Sequence, residues 1–201
     1  MMTLHGGRLS PFVRRAELWL SLQESAFERQ FVSVFDADFG GLLPINPLGR
    51  VPVLTLEDGT HLFETSAIVD YLEDTAASGR RLIVQSGPQR WRQLQDIALA
   101  HGIAEKAVAL VYESERRPAH LQWSDWQQRL STQIRNGLDA LNVRVGSAAT
   151  PVEGTGISAV CAYDMVALKC PGLLGEVGNL EQLSKAANAH PAFARTHPSL
   201  A

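Results

Sequence analysis

The hydrophobic period of this chain changes once, near residue 77, and that change limits the fold more than any single motif does. Before it the pattern switches roughly every dozen residues. A short apolar stretch, Met2 to His5, runs into Gly6 and Gly7. PFVRRAELWLSLQ then places Val13, Ala16 and Leu20 at helical spacing, and FERQFVSV alternates with a period near two. A Pro/Gly-rich loop, GGLLPINPLGR, leads into VPVLTL, the turn Glu57-Asp58-Gly59 and THLF, which is a hairpin pattern. Thr65 to Asp74 returns to helical spacing through Ile68, Tyr71 and Leu72. The predicted order is β-α-β, loop, β-β-α: a small mixed sheet with helices packed on it.

Past this point no strand signal remains. Residues 78–88 (SGRRLIVQSGP) are polar and Gly-containing, as a linker is. Trp91, Leu94, Ala98, His101, Val108 and Tyr112 mark one helical stripe, closed by Pro118. Trp126, Leu130, Ile134, Leu138, Leu141 and Val145 mark a second, opened by Ser124 and Gln127 at capping-box spacing. A third helix is predicted from about Ser158, after GSAATPVEGTG, and NLEQLSKAANAH is the expected last helix. The organisation is therefore an α+β domain over residues 1–77, a linker over 78–88 and an all-helical bundle over 89–201.

Composition excludes several functions. With 201 residues, 45% hydrophobic, the chain is long and apolar enough for a buried core. A net charge of −3 supplies no basic field for nucleic acid. MMTLHGGR lacks a long apolar leader and no apolar run is long enough to span a membrane, so the expected location is the cytoplasm. Both cysteines, Cys161 and Cys170, fall in the last quarter. On a helix nine residues separate them by about 13 Å, beyond disulfide reach. Without neighbouring ligands at suitable spacing they suggest no zinc site, and no metal is expected.

Chemistry concentrates at three places. Ser10-Pro11 opens the first helix: a hydroxyl at the N-cap and a proline where no N–H is needed. This is an ordinary cap, yet it follows the first strand, where α/β proteins commonly bind ligands, and the same hydroxyl and helix dipole can hold a thiolate. The run from Asn46 to Pro52 is a rigid loop delivering Val51-Pro52 to the strand beside that helix. Glu64-Thr65-Ser66 precedes AIVDYL; it reads either as capping or as a site for a small carboxylate.

In this order the three features resemble the glutathione transferase superfamily. The resemblance spans essentially the whole chain and rests on NPLGRVPVL followed by ETSAIVDYL, with SPFVRR, YESERRP and AFARTHP matching a bacterial serine-position subgroup, the YibF-like transferases. It implies a thioredoxin-like N-terminal domain, an all-α C-terminal domain, glutathione as co-substrate, a small electrophile as second substrate and a homodimer. In this resemblance Ser10 donates a hydrogen bond to the glutathione sulfur. A free thiol titrates near pKa 8.5, so such a donor at a helix N-terminus is what yields thiolate at neutral pH, each unit of lowering being worth about 1.4 kcal/mol. Pro52 is expected to be cis, turning the Val51 backbone toward the cysteinyl part. Glu64 receives the γ-glutamyl ammonium, Thr65 the α-carboxylate. Arg50 either meets the glycyl carboxylate or is a solvated loop arginine.

Phe12, His101, Glu105, Tyr112 and Arg116 are the candidates for lining the electrophile site, expected between the domains. Four of them have a plainer reading: Phe12 and Tyr112 as packing, His101 as a satisfied core histidine, Arg116 as a solvated helix end. Two departures stand out. The superfamily's capping motif in the helical domain, S/T-x-x-D, is incomplete in ISAVCAYD, where Ser158 is followed by Cys161 at the fourth position and Asp164 comes three residues late. Thr65 stands where serine is usual.

Two further readings stay open. One is glutathione-dependent disulfide or peroxide reduction, in which, with no cysteine before Cys161, glutathione supplies both sulfurs. The other is a non-catalytic binding or scaffold protein that has kept the fold.

Overall fold

Strand β1 (Met2–His5) is the hub of the first unit. It pairs in parallel with β2 (Phe27–Gln30), aligning Leu4 with Arg29, and antiparallel with β3 (Val53–Thr55), aligning Leu4 with Leu54. A parallel neighbour requires a crossover, and helix α1 (Pro11–Leu22) supplies it. β3 and β4 (His61–Phe63) form the hairpin, its turn closed by Leu56 N–H to Thr60 C=O at 2.8 Å with Gly59 at φ 87°. The sheet order is β2-β1-β3-β4. A computed structural model of the chain describes residues 1–35, 39–146 and 149–201.

Helix α1 buries Val13, Ala16, Leu18, Trp19 and Leu20 and packs on α3 (Thr65–Thr75), which buries Ile68, Val69 and Leu72. Between them sits the buried carboxylate of Glu73. It accepts from Trp19 Nε1 (2.8 Å) and Gln23 Nε2 (3.0 Å), and also from the backbone N–H of Leu82 and Ile83. A buried charge this well supplied with donors is tolerated, and it ties the exit of the unit to its core. A short helix, α2 (Phe39–Leu42), interrupts the predicted Pro/Gly-rich loop.

Two compact units make up the chain: Met1–Ile83 with His190–Ala201, and Val84–Ala189. The division falls inside the stretch expected as linker. The last twelve residues return to the first unit, whereas local sequence patterns alone keep them with the helical half. The return is a long-range event. Helix α8 (Pro191–Arg195) buries Phe193 completely, and Arg14 Nε donates to Thr196 Oγ1 at 3.3 Å across 182 positions of chain. Burying a side chain of that size stabilises by about 1.5–3 kcal/mol.

The second unit consists of α4 (Pro88–Val111), α5 (Ser124–Val145), α6 (Gly154–Lys169) and α7 (Gly178–Asn188). Helix α6 is central, with eleven of its 16 residues buried, and it packs on α4 and α7. α4 also packs on α5, and a Cβ on Gly137 would come within 2.6 Å of Ile103 Cγ1, so glycine sets how closely these two helices approach.

Three sequence expectations are corrected here. The buried face of α4 is Ile97, Ala100, Ile103, Ala104, Ala107 and Val111; Trp91 (60% exposed) and Leu94 (39%) lie on another side. Small residues form the contact, so the larger ones misdirect the pattern. Helix α5 is not capped by Ser124, which already lies in its first turn. Instead Glu113, from a π-helical turn over Tyr112–Arg116, accepts from Trp123 N–H at 2.8 Å. Helix α6 starts at Gly154, not near Ser158, whose hydroxyl donates to Gly154 C=O at 2.8 Å within the helix. Asp164 accepts from Ser184 and Asn188 of α7 rather than capping. Residues 147–148, part of the loop expected before α6, lie outside the described residues.

Candidate functional site

Ser10 ends a tight turn closed by its own N–H to Gly7 C=O at 3.3 Å. Its backbone is extended (φ −71°, ψ 119°), as an N-cap requires, and Pro11 opens α1. The Ser10 Oγ accepts from Val13 N–H at 3.3 Å. A hydroxyl has one donor and two acceptor positions, so capping leaves its O–H to donate outward from the positive end of the helix.

Gly6 brings this turn against the next segment. At φ 146°, a Cβ there would lie 2.4 Å from Val13 Cγ2 and 3.1 Å from Val51 Cβ. Only glycine lets the β1–α1 turn sit between α1 and Val51. The Val51–Pro52 peptide is cis, and Pro52 is buried. The loop delivering it is held from inside by Asn46, which is fully buried: Nδ2 donates to Arg50 C=O at 2.8 Å and Oδ1 accepts from Leu48 N–H at 3.0 Å. Gly49 (φ 58°) completes the loop, since a Cβ there would strike the Phe39 ring at 2.3 Å.

The third segment joins through charge. Arg50 Nη1 lies 3.3 Å from Glu64 Oε1, both side chains about half exposed. Glu64 takes φ 65° and ψ 121°, a conformation that costs a non-glycine residue about 1–3 kcal/mol. It makes no side-chain cap, so the first-turn amides of α3 are left without one; Ile68 N–H is the first to find Glu64 C=O, at 3.1 Å. Thr65 is the first helical residue, 2% exposed. Ser10, Val51-Pro52, Arg50 and Glu64-Thr65 thus belong to linked segments of one unit.

The electrophile-site candidates divide between the units. Phe12 is half-buried in α1 of the first. In the second, His101 and Glu105 face each other one turn apart on α4 (Nε2 to Oε1 3.7 Å), and Tyr112 and Arg116 bound the exposed side of the π-helical turn. That turn is anchored by Glu113, buried and held below the usual carboxylate range by the Trp123 backbone N–H and then by Arg117, whose Nε donates at 2.8 Å. Cys161 is buried in α6, and burial pushes the Cys170 thiol up, aided by Glu115. Among the described residues no group of His, Cys, Asp and Glu is placed to hold a metal ion, and no helix is long and apolar enough to cross a membrane.

Residues 9–75, which hold every segment just described from Ser10 to α3, match the family model for the glutathione S-transferase N-terminal domain. Over these residues the chain is similar to a glutathione S-transferase N-terminal domain. It is 29% identical to the uncharacterized GST-like protein YibF of Escherichia coli K12, over 98% of both chains. A glutathione transferase family member from Pseudomonas fluorescens Pf-5, solved with bound glutathione, superposes with a TM-score of 0.89 at 26% identity, covering 98% of this chain and 99% of that one. A second structure of that family member, holding S-(propanoic acid)-glutathione, gives a TM-score of 0.86 at 26% identity, with 98% and 100% covered. The thioredoxin-like N-terminal half and the helical remainder are those of the transferase fold.

Two features of the first unit have no signal in the sequence. Asn46 is visible as part of an Asn-Pro turn, but its burial and its hold on Arg50 C=O are not. Arg8 and Phe31, 23 positions apart and in no motif, meet only in space.

Proposed function

We propose that the protein is a glutathione transferase that converts the glutathione thiol to a thiolate and directs it at a small electrophilic carbon. The observation that carries this reading is the Ser10 N-cap: its Oγ already accepts from Val13 N–H, so the hydroxyl proton is the one left to meet a sulfur at the helix N-terminus. The Val51 main chain pairs with the cysteinyl residue. Glu64 receives the γ-glutamyl ammonium, Thr65 and the uncapped first-turn amides of α3 hold its α-carboxylate, and Arg50 takes the glycyl carboxylate.

The thiol proton leaves to solvent, the sulfur lone pair forms the C–S bond, and the electrophile loses its leaving group with the bonding pair or, in conjugate addition, gains a proton. The S-conjugate held by the Pseudomonas family member is a thioether of the kind this reaction makes. Phe12 in the first unit, and separately His101, Glu105, Tyr112 and Arg116 in the second, are the candidate contacts of the second substrate. The protein works in the cytoplasm as a homodimer. Support for the dimer is the second apolar stripe of α4, where Trp91, Leu94 and Ala98 are exposed.

Calorimetry with glutathione and turnover of an aryl halide test the reading. Binding with conjugation is expected; a folded protein that binds no glutathione contradicts it.

A further inference from the structure

We propose that Arg8 selects electrophiles that carry a carboxylate, giving the glutathione-thiolate site a second, anion-directed specificity. The proposal rests on the transferase reading above and concerns the same site.

Arg8 is the exposed second residue of the Gly7–Ser10 turn, whose last residue is the thiol-activating serine. Its guanidinium carbon sits 4.8 Å from the centroid of Phe31, and that of Arg29 sits 5.0 Å from the same ring. The two arginines differ in what remains to them. Arg29 is largely buried. Its Nη1 pairs with Glu17 Oε2 at 3.3 Å, and its Nη2 donates to Gly6 C=O at 3.0 Å. Burial lowers its pKa, Glu17 opposes this, and the Arg8 charge lowers it further, which places the two cations within electrostatic reach of one another. Arg29 is therefore tied to the β1–α1 turn through Nη2, and among the described residues its Nε and Nη1 are buried without hydrogen-bond partners, out of reach of a solvent-borne ligand.

Arg8 has no carboxylate within ion-pair distance among the described residues. Among the described residues, two cations and one carboxylate leave this corner with one positive charge in excess. Stacking on a ring fixes the guanidinium plane while leaving its in-plane N–H edges open, the arrangement that grips a carboxylate through two parallel hydrogen bonds. Phe31, 53% exposed, supplies a flat apolar surface beside it. An electrophile with a carboxylate a few bonds from its reacting carbon can thus be held by Arg8 while that carbon meets the sulfur at Ser10. α,β-Unsaturated carboxylates and haloaryl carboxylates fit this description.

The test uses ready-made thioethers and no turnover. Calorimetry measures Kd for glutathione, S-propylglutathione and S-carboxyethylglutathione with the wild type, Arg8→Gln and Arg8→Lys. The wild type is expected to prefer the carboxylated conjugate over the propyl one by about tenfold, the size of one charge-assisted hydrogen bond. Arg8→Gln is expected to bring that ratio near one, and Arg8→Lys to keep part of it. The ratio should also shrink with added salt. An equal ratio in wild type and Arg8→Gln, with glutathione itself bound, overturns the proposal alone. Absence of glutathione binding by the folded wild type overturns the transferase reading and the proposal with it.

Discussion

Arg50 Nη1 and Glu64 Oε1 lie 3.3 Å apart and join the cis-proline loop to the first turn of α3. Both side chains are about half exposed, and an ion pair in that setting contributes only about 0–1 kcal/mol. Its interest lies in the proposed function, in which the two charges take opposite partners on one tripeptide. Glu64→Gly should relieve the φ 65° strain while removing the carboxylate. Stability is expected to stay within about 1 kcal/mol of wild type, and glutathione Kd to weaken roughly tenfold or more. Thermal melting and calorimetry on the same sample check both halves.

Asn46 is the internal clamp of that loop, and its side chain has no exposed surface. Asn46→Ala leaves the Arg50 carbonyl and the Leu48 N–H without their partners. A loss of about 1–3 kcal/mol in urea unfolding is expected, together with a raised KM for glutathione. Unchanged KM would mean that the loop keeps its shape without the amide.

His5 is buried at the end of β1, and its Nε2 lies 2.9 Å from Thr55 Oγ1, which in turn lies 3.0 Å from His61 Nδ1. Burial, then His61 and Arg29, hold its pKa below the ordinary value. The sign follows from proton counting. Below the unfolded-state pKa near 6.5 the unfolded chain binds a proton that the folded chain refuses. Stability is thus full above that pH and falls as pH drops toward the lowered folded value. His5→Gln should flatten this acid-side fall, read from unfolding midpoints between neutral and mildly acidic pH.

What was legible in the sequence was local. Ser10-Pro11, Val51-Pro52 and Glu64-Thr65 are each short segments whose chemistry depends on immediate neighbours, and the order of elements along the first half followed from period and turn residues. What was not legible depended on distance or on small residues. The core face of α4 is largely alanine and isoleucine, while its tryptophan and leucine point elsewhere. The cap of α5 comes from Glu113, ten positions before the amide it serves. The docking of Phe193 and Thr196 on the first unit has no signal in any window of sequence.

The exposed stripe on α4 bears on assembly. If Trp91 and Leu94 cover a second copy, Leu94→Glu buries a charge in that contact and should weaken the dimer by about 2 kcal/mol or more, roughly 30-fold in Kd. Sedimentation of wild type and variant at matched concentration decides it, and a monomeric wild type at micromolar concentration contradicts the dimer.

In the proposed mechanism the Ser10 hydroxyl, not a protein sulfur, generates the nucleophile. Its most direct measurement is the ultraviolet thiolate absorbance of bound glutathione as a function of pH, in wild type and in Ser10→Ala. The wild type should form thiolate well below the pKa of free glutathione. Ser10→Ala should bind glutathione and keep the fold, raise that pKa by about 1–2 units and lower kcat/KM roughly 10- to 100-fold, the worth of a hydrogen bond to a charged group. Identical titration curves for the two proteins would contradict the account.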